Sequence, residues 1–181
     1  MTTYIALLRG INVSGKRLIK MDALKALCAT LGFANVHTYI QSGNLVFQSA
    51  EKETAVLQDT LCKAIESEFG FDVPVILKSL AQFTHILSQN PLPTTPSINP
   101  EHLHITFLAA APDPNLLSKI DAGKFLPDAF VHIGDAIYLH CPNGYGQTKL
   151  TNTFFESKLK QSCTTRNLKT CLTLQQMAAT L

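Results

Sequence analysis

The first basic segment of the chain is a glycine-containing loop whose residue types are those that hold phosphate. Residues 9–16 read RGINVSGK, which matches the phosphate-binding pattern G-x-x-x-x-G-K up to its last position. That position needs a serine or threonine to hold magnesium, but Arg17 follows the lysine. In a phosphate-binding loop of this kind a helix begins directly after the lysine, but here the apolar helical spacing begins about six residues further on. A helix N-terminus therefore cannot cover a phosphate bound to this loop. We therefore expect an anion site or a solvated basic loop, formed by cations with no acid between them: Arg9, Lys16, Arg17 and Lys20.

The second basic segment lies near the end of the chain. Between residues 149 and 169, five cations stand against one acid, Glu156. The segment includes GYGQTK before one predicted helix and TTRN before another, so backbone N–H groups at two helix N-termini lie beside positive side chains. This arrangement suits phosphate. The alternative, which the sequence leaves open, is that the glycines form a turn and that Thr148 and Asn167 only cap helices.

Four histidines on predicted neighbouring strands raise the question of a zinc site. They are His102, His104, His132 and His140. No cysteine or acid stands at recognised ligand spacing around them, so we place them on the solvated face of a sheet and predict no metal. We expect no cofactor. We also assign no catalytic residue, because neither a serine-histidine-aspartate arrangement nor a carboxylate pair is visible, and whether the protein is an enzyme is left open.

Composition and charge restrict the class of protein. The chain has 181 residues, of which 46% are apolar, and its 15 Lys and Arg nearly balance 13 Asp and Glu, which excludes a disordered chain. The net charge of +2 gives no general case for a nucleic-acid or membrane partner. No apolar run approaches the roughly 20 residues of a membrane span, and no basic leader precedes the first strand. Five cysteines without a CxxC pair indicate reduced thiols, so we expect a cytoplasmic protein.

Hydrophobic spacing predicts the elements that must position the basic segments. A buried strand is predicted at residues 3–8, a helix at 22–31 that ends at Gly32, and a hairpin with strands at 36–41 and 45–48. A second helix, a fourth strand and a capped third helix follow. The first half therefore has the order βαββαβ, which is typical of a ferredoxin-like unit.

The second half repeats this order as βαββαα, without an obvious final strand. A proline-rich stretch separates the halves, and its prolines favour extended, irregular backbone. We therefore predict an α+β protein of two ferredoxin-like (βαββαβ-type) subdomains with antiparallel sheets. The predicted boundaries are 1–90 for the N-terminal subdomain, 91–100 for the linker and 101–181 for the C-terminal subdomain.

Several short motifs carry a resemblance to a known family. They are residues 9–13 with Gly15 and Lys16, residues 39–44, Lys149 with Leu150, residues 165–167, and Thr170. On these motifs the chain resembles, over essentially its whole length, the bacterial domain of unknown function 1697 family. The resemblance implies a pair of ferredoxin-like α+β subdomains and no activity that could be transferred. Ser14 stands where the family usually has a second glycine, which argues against a need for positive φ there, and Leu168 stands where an aromatic residue often follows.

Our leading functional hypothesis is a cleft between the two halves that binds a small anionic, phosphate-bearing (nucleotide-like) ligand. The ligand-binding residues would be Arg9, Asn12, Lys16, Gln41, Asn44, Lys149, Arg166 and Asn167. Arginines would fork to phosphate oxygens, lysines would supply point charge, and asparagine amides would orient the ligand. One alternative is a nucleic-acid-binding protein that uses a basic stripe. Another is a non-catalytic interaction module whose motifs tie loops together by hydrogen bonds. The oligomeric state is left open.

Overall fold

The computed structural model describes residues 1–92 and 98–181. Residues 93–97, which include part of the predicted proline-rich linker, lie outside the described residues. Within the described ranges, no helix is both long and apolar enough to cross a membrane.

The described chain forms two compact units. Unit 1 comprises Met1–His85 together with Thr173–Leu181, and unit 2 comprises Ile86–Leu172. The C-terminal residues are therefore grouped with the N-terminal half. A division of the chain at the predicted linker would instead place them with the second half. The predicted boundaries at residues 90 and 101 stay predictions.

Unit 1 contains a four-stranded antiparallel sheet in the order β2-β3-β1-β4. Its elements are β1 (Thr2–Leu8), α1 (Met21–Thr30), β2 (Ala34–Tyr39), β3 (Asn44–Ser49), α2 (Thr54–Phe69), β4 (Val75–Ser79) and α3 (Leu80–Ser88), the last of which continues into unit 2. This is the predicted βαββαβ order with a trailing helix. In the register of the two central strands, Leu7 pairs with Asn44, so the loop after β1 and the turn before β3 lie at the same end of the sheet.

The core of unit 1 lies between the sheet and helices α1 and α2. Leu24 and Cys28 of α1 and Leu61 of α2 are fully buried against it, as the helical spacing predicts. The rings of Phe33 and Phe47 stack with centroids 4.3 Å apart. The helices therefore anchor the strands whose ends carry the basic loop.

The predicted end of α1 at Gly32 and the predicted cap at the start of α3 are confirmed. Gly32 follows α1 with a φ of +79°, and the capping box that opens α3 forms in both directions between Ser79 and Gln82. Asp113 caps the short helix of unit 2 by accepting a hydrogen bond from the Asn115 N–H at 2.8 Å. These contacts satisfy backbone N–H groups that the first helical turn leaves without partners.

Unit 2 repeats the topology of unit 1, with the sheet order β6-β7-β5-β8. Its elements are β5 (Leu103–Leu108), α4 (Pro114–Leu117), β6 (Ala129–Ile133), β7 (Ala136–His140), α5 (Asn152–Leu159), β8 (Cys163–Asn167) and α6 (Leu168–Ala179), whose end belongs to unit 1. The prediction of two ferredoxin-like subdomains with antiparallel sheets is confirmed.

The prediction that the second half lacks a final strand was wrong, because β8 is that strand. The sequence of β8 is CTTRN, which lacks apolar alternation, yet Thr164, Thr165 and Arg166 are all buried. The Thr165 and Thr106 hydroxyls lie 2.7 Å apart across the strand pair, and Thr165 Oγ1 donates to Asn152 Oδ1 at 2.7 Å. Hydrogen bonds therefore replace apolar contacts as the reason this strand can be buried.

Candidate functional site

The loop after β1 and the turn between β2 and β3 form one structure, which we call the loop cluster and define as residues 9–20 and 40–44. The two segments meet at the end of β1, where the Leu8 N–H donates to the Gly43 carbonyl at 2.8 Å. A Cβ built at Gly43 would lie only 2.7 Å from Leu8 Cβ and from Ile11 Cδ1. The close approach of these segments thus requires glycine at this position.

The Asn12 side chain holds the loop cluster together. Its Nδ2 donates to the carbonyls of Ile19 at 2.9 Å and Gln41 at 2.8 Å, and its Oδ1 accepts from the Ile19 N–H at 2.9 Å. One side chain therefore closes the loop onto itself and binds it to the neighbouring turn. Both hydrogens of the amide are used in these contacts.

Backbone strain is concentrated in the loop cluster. Of six described non-glycine residues with positive φ, four lie here: Asn12 at 53°, Ser14 at 50°, Arg17 at 48° and Ile40 at 50°. Asparagine tolerates this region, but a β-branched residue such as isoleucine is a clear outlier. Strain of this kind costs about 1–3 kcal/mol per residue and accumulates at functional sites.

The expectation for Ser14 was wrong, because the serine adopts positive φ although it is not glycine. Ser14 and Gly15, with φ of 50° and 73°, are the central residues of a tight turn in which the Lys16 N–H donates to the Val13 carbonyl at 3.0 Å. Positive φ at both central residues is the type I′ geometry. The turn projects the exposed side chains of Lys16 and Arg17 from the loop.

Positive charge dominates the loop. Residues 9–20 contain four cations and no acid. A Cβ built at Gly10 would lie 3.8 Å from Arg17 Nη1, so the Arg17 guanidinium lies over the glycine backbone. Arg9 is half-buried, and its N–H donates to the Pro74 carbonyl at 2.8 Å, which fixes the start of the loop against the residue before β4. The cations therefore extend from a loop whose backbone is hydrogen-bonded to the rest of unit 1.

Three exposed aliphatic side chains surround the Asn12 contacts. Val13 is 58% exposed, Leu18 65% and Ile40 49%. Each is the sequence neighbour of a residue that takes part in the Asn12 hydrogen bonds. The loop cluster thus presents apolar surface beside positive charge. The predicted site included the cations but not these aliphatic residues. The sequence feature that could have identified them is the occurrence of branched aliphatic residues near the glycine-containing turns.

Asn44 and Gln41 complete the predicted residues of unit 1. Asn44 is buried, and its Nδ2 donates to the Tyr39 carbonyl at 2.8 Å and to Ser42 Oγ at 3.0 Å. The Gln41 side chain is exposed, while its carbonyl accepts from Asn12. Five predicted residues therefore lie in the loop cluster: Arg9, Asn12, Lys16, Gln41 and Asn44. Two of them, Asn12 and Asn44, use their side-chain amides in hydrogen bonds within the cluster.

The predicted residues of unit 2 lie in two places. Arg166 is buried in β8, where its Nη1 donates to Thr164 Oγ1 at 2.8 Å and to the Thr165 carbonyl at 3.0 Å. Asn167 caps α6 by accepting from the Lys169 N–H at 2.9 Å. Lys149 is exposed and lines a surface cavity with Lys124. Arg166 and Asn167 thus contribute to packing and capping within unit 2.

The placement of His104 on a solvated sheet face was wrong, because this side chain is buried. Its ring stacks on Tyr145 with centroids 4.9 Å apart. Burial lowers the pKa of His104 because it disfavours the protonated imidazole, and this effect outweighs a hydrogen bond with the His102 backbone, which raises the pKa. Among the described residues, no group of three or more His, Cys, Asp or Glu could hold a metal ion.

Unfolding free energy is expected to fall as the pH is lowered from about 8 to about 5, in part through His104. The unfolded chain protonates this histidine near its ordinary pKa of 6.5, whereas the folded protein resists protonation, so acid favours unfolding. Urea denaturation across this range should show a weaker pH dependence for His104→Gln than for the wild type. Equal dependence in both would assign the effect to other groups.

The chain is similar to known proteins in sequence and in fold. The sequence model of the family described as protein of unknown function (DUF1697) matches residues 1–138, and the chain therefore belongs to this family. The solved structure of a conserved bacterial protein from Streptococcus pneumoniae has a TM-score of 0.75 and 23% identity to this chain, with 98% of each chain covered. This likeness shows the fold. A comparison with curated proteins gave no match.

Proposed function

We propose that the loop cluster binds a nucleotide-like ligand through its phosphate groups. The observation that carries the proposal is the set of four cations on residues 9–20, with no acid among them, on a loop that the Asn12 side chain links to itself and to the neighbouring turn by hydrogen bonds. Rigid positioning raises affinity because less conformational freedom is lost on binding. Arginine forks and lysine point charges are the groups that bind phosphate in proteins.

The aliphatic residues of the loop cluster support a ligand that also has an apolar part. Leu18, the neighbour of Arg17 in the sequence, and Ile40, which adopts a positive φ, expose branched side chains on the loop cluster that carries the cations. A nucleobase offers a flat apolar face in addition to phosphate. The combination therefore favours a nucleotide-like ligand over inorganic phosphate.

The proposal is tested by titrating ATP against the Lys16→Gln, Arg17→Gln double variant. Loss of two charge-assisted contacts should weaken binding by about tenfold or more. The matched control is Lys25→Gln, Lys52→Gln, which removes the same charge from exposed lysines outside the loop cluster and should leave affinity unchanged. Absence of ATP binding to the wild type, or equal weakening in both double variants, would refute the proposal.

Nucleic acid is the second candidate ligand, because exposed cations beside apolar side chains also suit a strand of bases and phosphates. A nucleic-acid site predicts affinity that rises with RNA length and falls steeply with salt.

A third candidate, the non-catalytic interaction module, is favoured by the hydrogen bonds of Asn12 and Asn44 within the loops. It predicts no ligand effect of the Lys16 and Arg17 substitutions.

A cytoplasmic location is part of the proposal. None of the five cysteines is in a disulfide, and burial raises the pKa values of Cys28 and Cys171 to about 12, which keeps these thiols protonated and unreactive. Cysteines that form no disulfide suit a reducing compartment.

A further inference from the structure

We propose that unit 2 has a separate binding site for a short polyphosphate chain, formed by two adjoining surface cavities that share Lys124. The first cavity, of about 150 Å³, is lined in part by Lys124, Lys149, Asn143 and Gln147. The second, of about 130 Å³, is lined in part by Lys119, Lys124 and Lys158. The linings of the two cavities therefore share Lys124, and each contains at least one further lysine: Lys149 in the first, and Lys119 and Lys158 in the second.

Charge in this region favours an anion. Four lysines line the two cavities against two aspartates, Asp121 and Asp128. Asp128 already accepts a hydrogen bond from Thr148 Oγ1 at 2.6 Å, which partly satisfies its carboxylate. Clustered cations at a concave surface raise the local concentration of anions.

The Lys124 side chain is mostly exposed and makes a long contact with a neighbouring carboxylate. It lies in the short turn Ala122–Phe125, and its Nζ is 4.0 Å from Asp121 Oδ2, with 77% of the lysine side chain exposed. An exposed pair at this distance contributes little, so the lysine can leave it at small cost. The Asp121 carboxylate is in addition engaged by the Gly123 N–H at 3.0 Å.

The size and walls of the cavities select the kind of anion. Each cavity is smaller than the roughly 300 Å³ at which pockets begin to hold drug-sized molecules, so each suits one small tetrahedral group. Phe125 lines both cavities and packs edge-on against Phe154 with ring centroids 5.0 Å apart, so the two linings share this aromatic ring as well as Lys124. A ligand that fills both must carry at least two linked phosphates.

The test is a calorimetric titration of inorganic tripolyphosphate into the full chain. Lys124→Ala should weaken binding by about tenfold or more because it removes the lysine common to both cavities, and Lys124→Arg should retain most of the affinity. Inorganic phosphate alone should bind more weakly than tripolyphosphate to the wild type. Lys25→Ala, an exposed lysine of unit 1, is the matched control and should change nothing.

The proposed polyphosphate site of unit 2 can be tested separately from the loop cluster. Tripolyphosphate binding that Lys124→Ala weakens by about tenfold or more and that Lys16→Gln, Arg17→Gln leaves intact would support it, even if ATP failed to bind unit 1. Binding abolished by the loop-cluster variant and unaffected by Lys124→Ala would overturn it, as would an absence of tripolyphosphate binding to the wild type.

Discussion

Replacing Asn12 with alanine is expected to lower the free energy of unfolding by about 2–4 kcal/mol and to abolish ligand binding at the loop cluster. The variant loses three hydrogen bonds, which leaves the N–H and carbonyl of Ile19 and the carbonyl of Gln41 without this partner. Alanine also tolerates the φ of 53° less well than asparagine. Urea denaturation followed by circular dichroism measures the loss.

Two further substitutions separate the causes. Asn12→Gly removes the same hydrogen bonds but relieves the strain at positive φ, so its destabilisation should be smaller than that of Asn12→Ala by about 1 kcal/mol. Asn12→Asp keeps the acceptor for the Ile19 N–H and loses both donors. If Asn12→Gly were as stable as the wild type, these hydrogen bonds would not be what holds the loop cluster.

Gly43→Ala is the second substitution with a large expected effect, about 3 kcal/mol or more of destabilisation. The added methyl group would lie 2.7 Å from Leu8 Cβ and Ile11 Cδ1, and the φ of +80° is unfavourable for alanine. These neighbours are buried core residues, so relief requires the turn to move away from β1. Thermal unfolding of the variant measures the effect.

Gly15→Ala is the matched control for Gly43→Ala. Its φ is similar at +73°, but a Cβ built there meets nothing within 4 Å. Only backbone strain of about 1 kcal/mol is therefore expected. Equal destabilisation by the two variants would show that the close approach of β1 and the turn contributes nothing.

Most of the fold was predictable because its signals are local. Gly32 after α1, the Ser79 and Gln82 capping box and the apolar spacing of both helices in unit 1 each depend on residues close in sequence. The βαββαβ order of unit 1 and the two antiparallel ferredoxin-like units followed from these signals and are confirmed, whereas the second half was predicted as βαββαα, without β8.

The strand β8 and the burial of His104 were not predictable, because their causes are distant in sequence. Thr165 bonds to Thr106 and Asn152, and His104 packs on Tyr145. A polar segment such as CTTRN is indistinguishable from a loop until its partners are known. Similarly, the helix α6 gave no local sign that its end returns to unit 1, where Gln175 bonds to Thr84 at 3.1 Å.

The sequence predicted which residues lie in the candidate site but not what each side chain does there. Spacing and charge identified Arg9, Asn12 and Lys16 in one motif and Asn44 in another. That the asparagines would be used within the loops, and that Ile40 would be held at positive φ, depends on contacts between the segments. The sequence-based hypothesis of one cleft shared with Arg166 stays a prediction.

The most direct test of the central claim is the amide NMR spectrum of the isotope-labelled protein during titration with ATP. If the loop cluster binds the nucleotide, the largest chemical-shift changes should fall on the amides of residues 10–20 and 40–43 and should disappear in the Lys16→Gln, Arg17→Gln variant. Changes confined to other residues, or a spectrum that ATP leaves unchanged, would contradict the account.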